Sequence, residues 1–255
     1  MKTILALLLL LAACRKADSA QATAAAPDPD GACRQLLFEG DRFIVCRDPE
    51  ARIELRSAGA DGRPLRSFAA LEHVLGRSAG QVRFAMNAGM FDAEGRAIGL
   101  LIERGRQLHP INRRAGGGNF HLLPNGVFLV RDDGRAAVVP TAEFKPDRRI
   151  AFASQSGPML VIGGKLHPAF EADGRSRYIR NGVGIAPDGT ATFAISQAPV
   201  SFGKFARLFR DGLGCRNALY FDGSVSSLWD QAGNRMDSFA ALGPMVVGSR
   251  PVDPA

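Results

Sequence analysis

The feature that most limits what this chain can become is its punctuation. From residue 43 onward, short runs rich in apolar and β-branched residues recur, and each is closed by Gly, Asp-Gly or Pro. The runs at 43–45, 52–55, 82–86, 98–102, 127–130, 136–139, 151–154, 159–162, 183–185, 191–196, 218–221 and 245–247 are too short and too often interrupted for helices, so they read as strands. Glu103-Arg104-Gly105-Arg106, Asp132-Asp133-Gly134 and Pro187-Asp188-Gly189 separate adjacent runs as hairpin turns do, which makes those neighbours antiparallel. Helical spacing is present at 67–75, with Phe68, Leu71 and Leu75 on one face, and at 201–209, with Phe202, Phe205 and Phe209 behind the N-cap candidate Ser201. A third, weaker helical stretch falls at 239–242. Many strands, few helices and no regular βαβ alternation predict an α+β domain of mainly antiparallel or mixed sheet with a few flanking helices.

The amino terminus predicts export. Lys2 precedes an apolar run, Ile4 to Leu11, of the length a secretory signal uses and well short of the roughly 20 residues a membrane span needs. The run ends in Leu11-Ala12-Ala13-Cys14, which resembles the bacterial lipobox, so residues 1–13 are expected to be removed and Cys14 to carry lipid. Arg15 leaves no acidic residue after that cysteine, which points by analogy to the outer membrane. Residues 14–31 are Ala-, Asp- and Pro-rich with little to bury and read as a tether. Residues 32–255 are then one domain facing the periplasm, anchored by the lipid.

The formal net charge of +7 comes mostly from scattered arginines. Such a charge suits a solvated surface or an anionic envelope substrate, and nucleic acid is a poor partner for this compartment. Cys33 and Cys46 flank a short strand pair and are expected to form a disulfide there, leaving Cys215 as a buried free thiol. There is no Cys-x-x-Cys, His-Glu-x-x-His or His/Cys cluster, so no metal site and no cofactor is expected, with a divalent cation left open.

Four polar, glycine-bent segments follow apolar runs: Met86-Asn87-Ala88-Gly89-Met90-Phe91-Asp92, Ser154-Gln155-Ser156-Gly157-Pro158-Met159, Arg177-Tyr178-Ile179-Arg180-Asn181-Gly182-Val183-Gly184 and Tyr220-Phe221-Asp222-Gly223-Ser224-Val225-Ser226-Ser227. Any one alone reads as a turn. Strand-end loops of this composition, taken together, are where a rigid scaffold presents a site.

In this order the four segments resemble the phosphodiester glycosidase family. The last family motif usually reads Asp-Gly-Gly-Gly-Ser-Ser, whereas Asp222-Gly223-Ser224-Val225-Ser226-Ser227 lacks two of those glycines. Gly118-Asn119-Phe120 and the Pro-Asn-Gly-Val-Phe segment starting at Pro124 are similar to a compact bacterial branch. The resemblance implies cleavage of a sugar from a phosphodiester in an envelope glycoconjugate. The departing phosphate monoester, with a second pKa near ~6, needs charge stabilisation more than protonation. Arg180, with Arg177 assisting, is suited to grip phosphate. Asp222 is the first choice for nucleophile or base and Asp92 the second, with Glu103 a further alternative. Asn87, Asn119, Ser156, Asn181, Ser224 and Ser226 would hold sugar hydroxyls or phosphate oxygens, while Gly89, Gly157 and Gly223 let backbone N–H groups approach.

Two other readings compete. One is a non-catalytic lipoprotein that binds a phosphorylated glycan or peptidoglycan fragment. The other is a serine acyl hydrolase built on Ser156 or on Ser201-Phe202-Gly203-Lys204, which lacks the companion motifs of the acyl enzymes it matches. His73, His109, His121 and His167 are too dispersed to define a triad. Trp229 with Phe221 is a candidate sugar platform, although core packing is the safer reading.

Overall fold

A computed structural model describes residues 31–251 together with the two-residue strand Thr23–Ala24. The expected signal sequence, Cys14 and most of the expected tether lie outside the described residues. Three sheets make up the domain. The largest runs Thr23–Ala24, Cys33–Phe38, Asp41–Cys46, Ala191–Ser196, Asn181–Ile185, Ala218–Tyr220, Met159–Ile162, Lys165–Leu166. The second runs Arg106–His109, Leu101–Glu103, Ile150–Ser156, Gly126–Arg131, Ala136–Pro140, and the third Arg235–Met236, Leu228–Asp230, Val82–Asn87, Met245–Ser249, Arg52–Arg56. All the ladders between these strands are antiparallel.

Each hairpin signal does what its turn chemistry dictates. Arg104 and Gly105 take positive φ between Leu101–Glu103 and Arg106–His109, Gly134 does so between Gly126–Arg131 and Ala136–Pro140, and Gly189 between Asn181–Ile185 and Ala191–Ser196. The central core is aromatic. Phe84, Phe128, Phe193 and Phe221, one or two from each sheet, meet where the three inner faces converge. Trp229 is buried against Phe68, so it belongs to the core and offers no sugar platform.

Both principal helices form. Ser67 Oγ accepts from Ala70 N at 3.1 Å and starts Phe68–Leu75; Ser201 Oγ accepts from Lys204 N at 3.1 Å and starts Phe202–Arg207, which widens into a π turn at Leu208–Gly212. The third does not. Residues 239–240 form a bend and 241–242 are irregular, with Phe239 exposed and Leu242 held by its N–H on the Arg66 carbonyl, because four residues ahead of Gly243-Pro244 cannot close a helical ladder.

Cys33 and Cys46 sit opposite one another in the first hairpin and are disulfide-bonded. Cys215 is free and buried, and burial pushes its thiol up to about 12. Among the described residues no helix is long and apolar enough to cross a membrane.

The three sheets are tied together at one turn. Asn87 ends a strand of the third sheet, and two residues on, Gly89 N donates to Ser154 Oγ of the second at 3.1 Å. A Cβ on Gly89 would lie 2.5 Å from both the Gln155 carbonyl oxygen and Ser154 Oγ. Gly89→Ala should therefore cost roughly 2 kcal/mol, lowering the melting temperature by about 4–8 °C in thermal denaturation; an unchanged melting temperature would show that this junction is not close-packed.

Candidate active site

The ends of the three sheets bring three of the four polar segments into direct contact. Asn87, 1% exposed, donates from Nδ2 to the Asp222 carbonyl at 2.8 Å, while its Oδ1 accepts from Ser227 N at 2.8 Å and from Asn181 Nδ2 at 2.9 Å. Asn181 Nδ2 also donates to the Asn87 carbonyl at 2.9 Å. Ser226 Oγ lies 2.9 Å from the Ile179 carbonyl and 3.0 Å from Asn181 Oδ1, either of which can take its single proton. Phe221 N donates to the Asn181 carbonyl and Asp222 N to the Ala88 carbonyl, both at 3.0 Å. The side chains of Asn87, Asn181 and Ser226 thus spend their hydrogen bonds mainly on one another and on the loop that carries Asp222. Their expected contacts to ligand give way to a positioning network, because buried polar groups must find partners.

Beside this network lies Arg180, 0% exposed. Its Nε donates to the Val200 carbonyl at 2.8 Å, Nη1 to the Tyr220 hydroxyl at 3.2 Å and Nη2 to the Ser176 carbonyl at 2.8 Å. The guanidinium carbon stands 3.5 Å from the Phe202 ring centroid, with Tyr220 and Tyr178 at 5.4 and 5.6 Å. Among the described residues no carboxylate forms an ion pair with it. Burial lowers its pKa, partly opposed by Tyr220. The neighbouring small cavity, about 230 Å³, is lined by Ser176 and Phe202 together with Leu122, Phe170, Arg175 and one carboxylate, Glu171, which is not ion-paired with Arg180.

Asp222 follows two residues after Tyr220, and its charge bears on the phenol. Its Oδ1 accepts from Ser224 N at 3.1 Å, and burial raises its carboxyl pKa against that hydrogen bond. Burial pushes the Tyr220 hydroxyl up to about 12, with Arg180 pulling it down and the Asp222 charge pushing it further up. The phenol therefore feels both charges. With Arg180 donating to its oxygen, the Tyr220 proton is available to a further acceptor.

Ser156 and Gly157 arrive alongside, since Tyr220 N donates to the Pro158 carbonyl at 3.1 Å. Ser156 Oγ is buried without a partner, and Gly157 is pressed against Asn125 Cβ and the Phe120 and Asn119 carbonyls. Gly223 packs on the Tyr220 hydroxyl, in a space that a Cβ would need. Asn119, Ser224 and Arg177 are exposed at the rim.

Asp92 is placed elsewhere. It closes the 91–97 hairpin, accepting from Arg96 N at 2.8 Å and Arg96 Nε at 3.0 Å, and it lines a different cleft with His109 and Arg113. Backbone donation from Arg96 holds its pKa low. Asp92, the second choice for the carboxylate, thus has both oxygens engaged by Arg96 in a hairpin turn. Glu103, whose pKa is raised by burial, lies at the hairpin of the second sheet with Oε1 buried and unpartnered. Ser201 Oγ is a helix cap, and Lys204 is ion-paired to Asp41 at 2.6 Å. Neither Ser156 nor Ser201 has a side-chain base in hydrogen-bond reach, which removes the support for a serine acyl enzyme. Among the described residues no group of three or more His, Cys, Asp or Glu is arranged to hold a metal ion.

Sequence reading missed Tyr220, Phe202 and Tyr178 as partners of Arg180. Phe202 and Tyr220 belong to apolar runs and look like core, although Tyr220 also opens the fourth polar segment; Tyr178, 58% exposed, lies inside the Arg177 to Gly184 segment.

A family model for phosphodiester glycosidases matches residues 80–252. The uncharacterized protein YigE of Escherichia coli (strain K12) is 40% identical over 156 residues, 61% of this chain and 61% of the relative, so the match spans less than two thirds of that protein. The crystal structure of a hypothetical protein from Synechocystis matches with a TM-score of 0.52 at 14% identity, covering 91% of this chain and 64% of that one, and so shares the fold.

The raised pKa of Asp222 has a definite sign in stability. A carboxyl whose folded pKa exceeds its unfolded value contributes stability fully below the unfolded pKa near ~4, and that contribution is lost as pH rises through the folded pKa. Asp222→Asn, which still accepts from Ser224 N, should thus melt at or a few degrees above the parent at pH 7, and the gap should close towards pH 4. A variant that melts well below the parent at pH 7 would show the charge to be stabilising.

Proposed function

Starting from the fact that the chain belongs to the phosphodiester glycosidase family, whose members are glycosidase-type hydrolases, we propose that it cleaves a sugar from a phosphodiester in an envelope glycoconjugate. The observation that carries this reading is the fully buried Arg180 guanidinium, held by neutral partners and left without a carboxylate counter-charge. A buried cation that the protein does not neutralise is matched to a ligand that does. The singly charged phosphodiester is such a ligand.

The bond broken is the one between the anomeric carbon and phosphate oxygen. Its electron pair leaves on the phosphate monoester, whose second pKa near ~6 makes it a good leaving group without a strong acid. Arg180 and the Tyr220 hydroxyl stabilise the growing charge by hydrogen bonding. Asp222, ionised, stands as nucleophile or as base for the attacking water. The hydrogen-bonded group of Asn87, Asn181 and Ser226 fixes the carboxylate relative to Arg180, and Tyr178 offers an exposed ring to a sugar face. The same requirement explains why Asp222 and Arg180 do not touch. A direct ion pair would quench both the nucleophile and the anion site.

The test is turnover of a panel of sugar-1-phosphodiesters with products identified by mass. Asp222→Asn should lose about a thousandfold or more in kcat/KM while still binding. Arg180→Lys should lose more than a charge swap normally costs, because lysine cannot make the planar two-point contact. In the parent, activity should rise with pH along a limb displaced above the ordinary carboxylate value near ~4, and this limb should vanish in Asp222→Asn. Full activity of Asp222→Asn would sink the assignment.

We place this activity in the periplasm, with Cys14 as the lipid-bearing mature amino terminus that tethers the domain to the outer membrane. The support is the apolar run ending in Leu11-Ala12-Ala13-Cys14. Cys14→Ser should move the protein from the membrane to the soluble periplasmic fraction on cell fractionation, and unchanged retention would refute the anchor.

A further inference from the structure

We propose that the cleft between Asn112, Arg113 and Arg114 on one side and Leu123, Pro124 and Asn125 on the other is a second anion subsite, taking the next phosphate of a repeating sugar-phosphate or polyol-phosphate chain. This rests on the reading of the Arg180 pocket given above and names its substrate class.

Four consecutive residues separate the two spaces. Leu122 lines the cavity of about 230 Å³ beside Arg180, whereas Leu123, Pro124 and Asn125 line a larger cleft of about 420 Å³. Leu123, 66% exposed, sits between them. A sugar or polyol unit crossing Leu123 would present one phosphate to each side.

The larger cleft is built for negative charge. Arg113 is anchored by Nη1 donating to the Thr141 carbonyl at 2.5 Å and by Nη2 donating to the Phe144 carbonyl at 3.2 Å. Carbonyls fix the guanidinium without neutralising it, and donors remain on its fork. Among the described residues neither Arg113 nor Arg114 forms an ion pair. Arg96, further along the same surface, is instead paired with both Asp92 and Glu94. Asn112, Arg113 and Arg114 also line the adjoining cleft that holds Asp92, whose charge Arg96 takes up.

The loop bearing both arginines is held by a buried amide. Gln155, 1% exposed, accepts at Oε1 from Asn112 N at 2.8 Å and Leu100 N at 3.0 Å, and donates from Nε2 to the Asn112 carbonyl at 2.7 Å and Thr141 Oγ1 at 3.2 Å. One side chain therefore locks the Asn112 side to the Thr141 side. The opposite wall holds an open acceptor: Asn125, 3% exposed, donates from Nδ2 to the Phe120 carbonyl at 2.8 Å and leaves Oδ1 buried without a partner.

Calorimetric titration of the full-length protein with Asp222→Asn, which blocks turnover, tests this. The ligands are a sugar-1-phosphodiester with one phosphate and its one-repeat extension with two. The two-phosphate ligand should bind about tenfold or more tightly. Arg113→Gln with Arg114→Gln should bring the ratio of the two affinities close to one. Equal affinities in the starting protein, or a ratio that survives the double substitution, would overturn the subsite while leaving the Arg180 reading intact. Should neither ligand bind, the Arg180 reading fails, and tripolyphosphate then tests the cleft alone: binding abolished by the double substitution upholds it, and no binding overturns it.

Discussion

Everything at the active end of this molecule depends on the amide of Asn87. It is the last residue of a strand in the third sheet, yet its side chain bonds to Asn181 of the largest sheet and to the loop that carries Asp222 and Ser227. Two residues later the same turn reaches the second sheet through Gly89 and Ser154. Three separately twisted sheets are brought to one point by a handful of buried hydrogen bonds. Leaving any of these groups unpaired costs about 1–3 kcal/mol, so the geometry is selected as a set.

On that frame the protein keeps two charges apart. Arg180 is surrounded by carbonyls and aromatic faces, which supply partial negative charge without a formal anion. Asp222 is desolvated by burial, and its pKa rises as a result. Both arrangements are unfavourable for folding. They persist because ordinary packing elsewhere, above all the convergence of Phe84, Phe128, Phe193 and Phe221, supplies the stability.

How much of this was legible follows from how local each cause is. Turn chemistry is local, so the hairpins at residues 104–105, 134 and 189 were readable, and so was the pairing of Cys33 with Cys46 across a single hairpin. Residues 239–242 show the limit, since an apolar pattern of four residues carries no information about whether a helical ladder closes. The ordered set of four polar segments pointed to one site, but not to the division of labour inside it. Asn87, Asn181 and Ser226 look like ligand-binding residues in sequence and turn out to satisfy one another. Asp92 and Asp222 are equally plausible in a list and differ only in what surrounds them: a hairpin arginine for one, a desolvating aromatic wall for the other. Tyr220 and Phe202 were invisible because a residue that shapes a buried cation is indistinguishable, in sequence, from one that fills a core.

Cys215 illustrates a different kind of consequence. Its thiol, pushed up to about 12 and enclosed near Gly184 and Phe209, holds almost no thiolate at neutral pH. Thiolate is the attacking species in disulfide exchange. Cys33 and Cys46, by contrast, face one another across a single hairpin, 13 residues apart in sequence. Three thiols in one domain allow three pairings, and the folded structure favours one of them by nearness and concealment: the correct couple is held together by its own turn, and the spare member is withdrawn from the reaction.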